Sequence, residues 1–189
     1  MELTPEYLAE QEDCINRNFQ GYGKNIHDPA TLDRFKTISH FIQDYSPTHK
    51  LQLSVGSGGF EPHYLNSTYA CDVSCLSHNL LLSLGWSGVF FPCSCDHIPY
   101  PIHYFDVAIC TEVIEHLPSK EIVRATFLEL NRVAKRWIVT TPTRDVKEPT
   151  HKFIFTEEQL LELALGTNAF IEKKGIFFYI HNGEKKLFD

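Results

Sequence analysis

A short apolar run, Leu51, Leu53 and Val55, breaks directly into Gly56, Gly58 and Gly59. A buried strand ending in a glycine turn is how a nucleotide-binding α/β domain opens. The turn needs unusual backbone angles, and a ligand must lie against the main chain. Glycine pairs also punctuate ordinary loops, so the turn gains meaning only from the residues after it. Further strand-like stretches come at residues 69–73, 88–95, 105–110 and 137–140, with helical patterns between them. Pro92 pushes the third of these five strands towards a sheet edge. Ser119 can cap a helix striped by Val123, Phe127, Leu130 and Ala134, and Thr156 with Gln159 forms a capping box for another. Residues 170–180 are aromatic and β-branched, and Asn182-Gly183 signals a hairpin into residues 185–188. The alternation predicts an α/β fold, Rossmann-like and doubly wound, with a mostly parallel sheet and a C-terminal antiparallel hairpin.

Two helices precede the sheet. Residues 4–19 carry a broken apolar face of Tyr7, Leu8, Cys14, Ile15 and Phe19 before Gly21 and Gly23. Asp28-Pro29 then caps a helix with Leu32, Phe35, Ile38 and Ile42 on one face, which Ser46-Pro47 ends. The expected division is 1–45 as helices covering the site and 46–189 as the ligand-binding domain. A net charge of −7 over 189 residues argues against broad nucleic-acid binding. The polar, acidic start is no signal peptide and no apolar run reaches membrane-spanning length, so the expected setting is cytoplasmic with no membrane partner. The six cysteines form no CxxC pair, which favours buried small hydrophobes over structural zinc.

In an open parallel sheet, ligands bind outside the carboxyl ends of the strands. The glycine turn, Asp72, Asp96 and Thr111-Glu112 stand at four successive ends. One acid at a strand end means little. Acids at three in a row, behind a glycine turn, suit a ligand carrying a ribose and an exocyclic amine. A nicotinamide or flavin enzyme is the weaker reading, because the sixth position counted from Gly56 is Glu61 where the fingerprint requires glycine.

The segments VGSGG (55–59), ACDVS (70–74), SCDHIPYP (94–101), FDVAICTEVIEHLP (105–118) and TTPT (140–143) resemble the class I S-adenosylmethionine-dependent methyltransferases. HKFIFTEEQL (151–160) is similar to a late helix start of that family. The resemblance implies S-adenosyl-L-methionine as cofactor. Gly56 and Gly58 would let its methionine part approach the backbone. Asp72 would hold the ribose hydroxyls and Asp96 the adenine amine, with His97 and Ile98 beside the ring. Thr111 and Glu112 would flank the methyl group, and Val55, Ser57 and Val73 complete the cofactor set. The pattern departs from the family at Ser54, where an acid is usual, and at Phe60, where a third glycine is usual. These departures motivate one alternative, a methyltransferase fold serving as a non-catalytic binding subunit.

Methyl transfer asks mainly for alignment and exclusion of water, and for a base only where the acceptor must lose a proton. Candidate bases are Glu112, Glu115, His116 and His151. If residues 112–116 enter a helix, Glu112, Glu115 and His116 fall on one face, and His151 could close a set suited to a divalent cation. That set is similar to methyltransferases acting on the terminal 2′-hydroxyl of small RNAs. The EVxEH pattern is equally that of metal-free enzymes for small molecules. The acidic charge and the lack of an accessory RNA-binding segment favour a small-molecule acceptor, with RNA as the alternative. Acceptor walls would come from the N-terminal helices and the short loop 142–152, an open or shallow site. Tyr7, Phe19, Tyr22, Tyr100 and Tyr104 are its candidate lining. The sequence leaves the acceptor and the oligomeric state open.

Overall fold

Five parallel strands carry the chain: β1 (Gln52–Val55), β2 (Tyr69–Asp72), β3 (Val89–Pro92), β4 (Phe105–Thr111) and β5 (Ala134–Pro142). Two antiparallel strands, β6 (Phe170–Lys174) and β7 (Phe177–His181), extend the β5 side. The seven-stranded order is β3-β2-β1-β4-β5-β7-β6, so strand order reverses between β1 and β4. That reversal is the crevice where α/β sheets take ligands. The computed structural model describes residues 4–21, 27–45, 51–58 and 60–188. The expectations placed on Tyr22, Gly23, Ser46, Pro47 and Gly59 lie outside the described residues.

Strand periodicity sorts the core into two layers. Val107, Ile109, Ile138, Phe177 and Tyr179 meet Phe35, Ile38 and Phe41 of α2 (Pro29–Tyr45) on one face. Ala108, Cys110, Trp137, Val139, Phe178 and Ile180 meet α5 (Lys120–Val133) and α6 (Glu157–Leu163) on the other. The short helix α3 (Glu61–Tyr64) comes after the glycine turn, and α4 (Leu76–Ser83) comes after β2. The first helix, α1 (Pro5–Gln20), is opened by Thr4, whose hydroxyl accepts from Tyr7 N. Its inner residues line a cleft at the strand ends, and α2, packed on the sheet, adds Thr31 and Arg34 to the same cleft. Among the described residues no helix is long and apolar enough to cross a membrane.

Three local expectations change. The hairpin turn falls between β6 and β7, where Gly175 adopts φ +61°, and Asn182-Gly183 does not form one. Asn182 instead accepts from Trp137 N at 2.8 Å and donates to Lys135 O at 3.2 Å, holding the end of β7 to β5. Residues 185–188 form no strand; Glu172 accepts from Leu187 N and Phe188 N at 2.7 and 3.0 Å and pins them. Ala134 is the first residue of β5 and not the last of the helical stripe, because α5 passes into the strand with no linker.

Candidate functional site

The carboxyl ends of β1, β2 and β4 open into a cleft of about 280 Å³ roofed by α1. Tyr7, Gln11, Cys14, Ile15 and Asn18 face it from that helix, at the i, i+4, i+7, i+8 and i+11 spacing of one helical face. Polar contacts hold α1 to both rims. Ser74 Oγ donates to Glu12 at 2.8 Å beyond β2, and Arg17 reaches Glu148 at 2.8 Å in the loop after β5. Lys152 pairs with Glu10 on that second rim at 2.5 Å.

The glycine turn leaves little room for a β-carbon at its two described glycines. Gly56 adopts φ +69°, and a Cβ there would stand 2.4 Å from Val113 Cγ2. At Gly58 an added Cβ would stand 2.7 Å from Ile15 Cγ1 and 3.4 Å from Asp72 Oδ2. Ser57 donates its N–H to Cys71 O at 3.0 Å, while its buried hydroxyl has no partner. Asp72, only 7% exposed, accepts from Ser74 N at 3.0 Å. Burial pushes its carboxyl up to about 6, against the opposing pull of the surrounding backbone donors. A buried acceptor beside a bare main chain suits a ligand that brings hydroxyl donors.

The third strand end differs from the expectation in detail. Cys93, Ser94 and Cys95 line the cleft with Val73, and Asp96 is held by a hydrogen bond from Ser94 Oγ. Ile98 does not face the cleft; it is buried in the core, and its N–H goes to Glu129 at 2.6 Å. His97 is exposed outside the lining, and Val55 lies in the core beneath the turn. Tyr7 lines the cleft, whereas Tyr100 and Tyr104 pack with Tyr69 and Phe105 away from it. The Cys95 thiol is pushed up to about 12 by burial; Cys14, Cys71, Cys95 and Cys110 are buried as expected, whereas Cys75 is exposed and Cys93 half-buried.

Beyond β4 the chain does not enter an α-helix. Glu112 takes φ +55° and only Ile114–His116 makes a single 3-10 turn. Glu112 therefore parts from Glu115 and His116. Its carboxylate meets Arg34 at 3.1 Å and Thr140 Oγ1 at 3.0 Å, beside Glu61. Burial raises the Glu112 carboxyl and Arg34 opposes the rise. The expected set, three residues on one helical face closed by His151, is thus reduced to three, without Glu112. Ligand-capable atoms of Glu115, His116 and His151 lie within 4.8 Å of one another. The two rings stand edge to face with centroids 4.6 Å apart. Glu115 is fully buried, with Thr141 Oγ1 on Oε2 at 3.0 Å and no partner on Oε1. Burial, then the nearby Glu112 charge, raises its carboxyl well above the usual range. Burial, then His151, lowers His116 to about 4, and burial lowers His151. His151 Nδ1 is likewise buried without a partner.

Arg34, Glu61, Gln11, Glu148 and Thr150 were not legible as site residues. Their signal lay only in tertiary proximity. At the two atypical positions, Ser54 shares a 2.8 Å hydrogen bond with Ser67, which also takes Gln52 Nε2 at 3.0 Å. Phe60 is buried edge-on against Phe35, with centroids 5.7 Å apart. Both make structural contacts that the usual residues would not make.

Residues 51–137 match the family model described as a methyltransferase domain. No curated protein matches the chain. Among solved structures, 1,6-didemethyltoxoflavin-N1-methyltransferase of Burkholderia thailandensis, with its substrate and S-adenosylhomocysteine bound, superposes with a TM-score of 0.68. The identity is 14%, over 96% of this chain and 90% of that one. Magnesium protoporphyrin IX methyltransferase of Synechocystis PCC 6803, with bound S-adenosylhomocysteine, gives 0.63 at 12% identity, over 86% and 92%. A SAM-dependent methyltransferase of Aquifex aeolicus gives 0.61 at 20% identity, over 84% and 94%. At such identities the likeness is one of fold.

Proposed function

We propose that this chain is a class I S-adenosylmethionine-dependent methyltransferase that moves a methyl group to an oxygen or nitrogen of a small-molecule acceptor held under α1. The match of residues 51–137 to a methyltransferase domain and the likeness of fold support this reading. The observation that carries the reading is the meeting of Gly56, Gly58 and Asp72. Gly56 excludes a side chain by its φ and its contact with Val113, a side chain at Gly58 would have to displace Ile15, and a buried carboxylate stands beside them. These residues fit the cofactor. The bare turn would receive its methionine part, and Asp72 would accept from its ribose hydroxyls. The orphaned Ser57 hydroxyl is a further donor at the turn. The bound cofactor supplies an already activated methyl group. The protein's task is then to align the acceptor and to exclude water, which the roof of α1 serves. Where the acceptor must lose a proton, the neutral imidazoles of His116 and His151 are the groups able to take it.

Isothermal titration with S-adenosylhomocysteine tests the reading. Saturable binding is expected, weakened at least tenfold in Asp72→Ala. Absence of binding to the unaltered protein would favour the non-catalytic subunit.

A second reading has its own observation, the convergence of Glu115, His116 and His151. One carboxylate and two imidazoles suit a divalent cation, and the partnerless Glu115 Oε1 and His151 Nδ1 are available to it. A cation there would lower the barrier to deprotonating a hydroxyl, as methylation of an RNA 2′-oxygen requires. The net charge of −7 disfavours an RNA partner, which leaves the small molecule as the preferred acceptor. Manganese titrated into the protein and into Glu115→Gln separates the readings. Saturable binding lost in the variant supports the cation, and no binding to either removes it.

A further inference from the structure

His116 Nδ1 lies 3.0 Å from Thr150 Oγ1, and Thr150 Oγ1 lies 3.0 Å from Glu148 Oε1. A hydroxyl has one proton to give, whereas a carboxylate can only accept. The same Glu148 oxygen already accepts from Arg17 Nη2 at 2.8 Å, so it serves as an acceptor and the Thr150 proton goes to it. Thr150 Oγ1 is then left to accept, and the N–H of the neutral His116 ring must stand on Nδ1.

We propose that Thr150 and Glu148 are positioning residues that hold His116 in its Nδ1–H tautomer and leave Nε2 bare in the ring that lines the cleft beside His151. With Nδ1 turned to Thr150, Nε2 is the ring nitrogen left for other partners, and only when bare can it take a proton from an acceptor or give its lone pair to a cation. In the Nε2–H tautomer that nitrogen can only donate. The setting reaches the roof of the cleft, because Arg17 belongs to α1 and orients Glu148 from there. The proposal rests on the methyl-transfer reading for its consequence, since that reading makes the cleft a reaction site. The tautomer itself is set by the hydrogen bonds alone.

Long-range proton–nitrogen NMR of the histidine rings shows which nitrogen is protonated, and the His116 signals are identified by their loss in His116→Gln. The unaltered protein and Thr150→Ser are expected to show Nδ1–H with a bare Nε2. Thr150→Val is expected to lose that signature and move to Nε2–H, the form an unconstrained imidazole favours. A merely structural role for Thr150 would leave the protonated nitrogen unchanged. An Nε2–H ring in the unaltered protein, or a valine variant with the ring unchanged, overturns the proposal. The unaltered spectrum decides alone if the valine variant does not fold. Titration of S-adenosylhomocysteine into the same samples keeps the two readings apart. Binding together with an Nε2–H ring overturns the positioning role only, and an Nδ1–H ring without binding overturns the methyltransferase reading only.

Discussion

Arg34 Nη1 stands 3.1 Å from Glu112 Oε2, so α2 neutralises the carboxylate that comes directly after β4. The guanidinium is nearly buried, lies over Phe177 at 4.9 Å and is 3.9 Å from Glu61. Without it two carboxylates would share one wall of the cleft uncompensated. Arg34→Met is therefore expected to cost about 3 kcal/mol, the scale for removing one partner of a buried pair. Combining it with Glu112→Gln should recover part of the loss. Thermal unfolding of the three variants measures both effects. The single variant should also gain stability relative to the unaltered protein as pH falls and Glu112 takes up a proton.

Asp72 sets function against stability. Its carboxyl is raised to about 6 by burial, so its charged form is disfavoured in the folded state. A folded value above the unfolded one means the associated stability is fully present below the unfolded value near 4. It is lost as pH rises through about 6. Asp72→Asn is thus expected to abolish S-adenosylhomocysteine binding while raising stability at pH 7.5 by about 1–3 kcal/mol. That corresponds to a melting temperature roughly 2–4 °C higher per kcal/mol in a chain of this size. In the unaltered protein, cofactor affinity should fall as pH drops below about 6, when the acceptor becomes a donor. Calorimetric titration across pH 5–8 and a melting series at pH 7.5 test the pair of effects.

Gly58 and Ile15 report on the roof. A methyl group at position 58 would overlap Ile15 Cγ1 at 2.7 Å, so Gly58→Ala should lift α1 or weaken its seat. Ile15→Ala removes the overlapping atom and should restore much of the loss, a coupling readable in a double-mutant cycle. Gly56→Ala has no such rescue, because φ +69° strains any β-carbon there by about 1–2 kcal/mol even before the clash with Val113.

The latches at Arg17 and Lys152 are partly exposed ion pairs, each worth about 0.2–1 kcal/mol. Removing Arg17 as Arg17→Met should quicken amide hydrogen exchange in α1 by up to about fivefold, since ~1 kcal/mol is a factor of five. Exchange in α5 should stay unchanged. Added salt should reproduce the effect in the unaltered protein.

Legibility in the chain divides along a physical line. The positions of the glycine turn and Asp72 are legible because a strand's end fixes where its next residue stands. His116 and His151 could be paired because both come after neighbouring parallel strands, β4 and β5. Glu112 was misplaced because a positive φ at a non-glycine residue leaves no mark in the sequence. Its true partner, Arg34, comes from a helix whose docking on the sheet no local pattern encodes. Ile98 packs in the core, and its backbone N–H is taken by Glu129, another distant residue. At Asn182-Gly183 the turn chemistry was sound. The asparagine amide was claimed by the backbone of β5, and a glycine at 175 made the turn instead.

Phe60 sits where the family places a glycine, and its ring meets Phe35 of α2 edge to face. The same residue lines the cleft. One aromatic side chain is therefore shared between the glycine turn and the helix that carries Arg34, and both Phe60 and Arg34 line the cleft. A substitution on α2 that shifts Phe35 would disturb the turn through this ring, and a change in the turn would be felt by the helix. The Phe60 ring thus couples the glycine turn mechanically to α2.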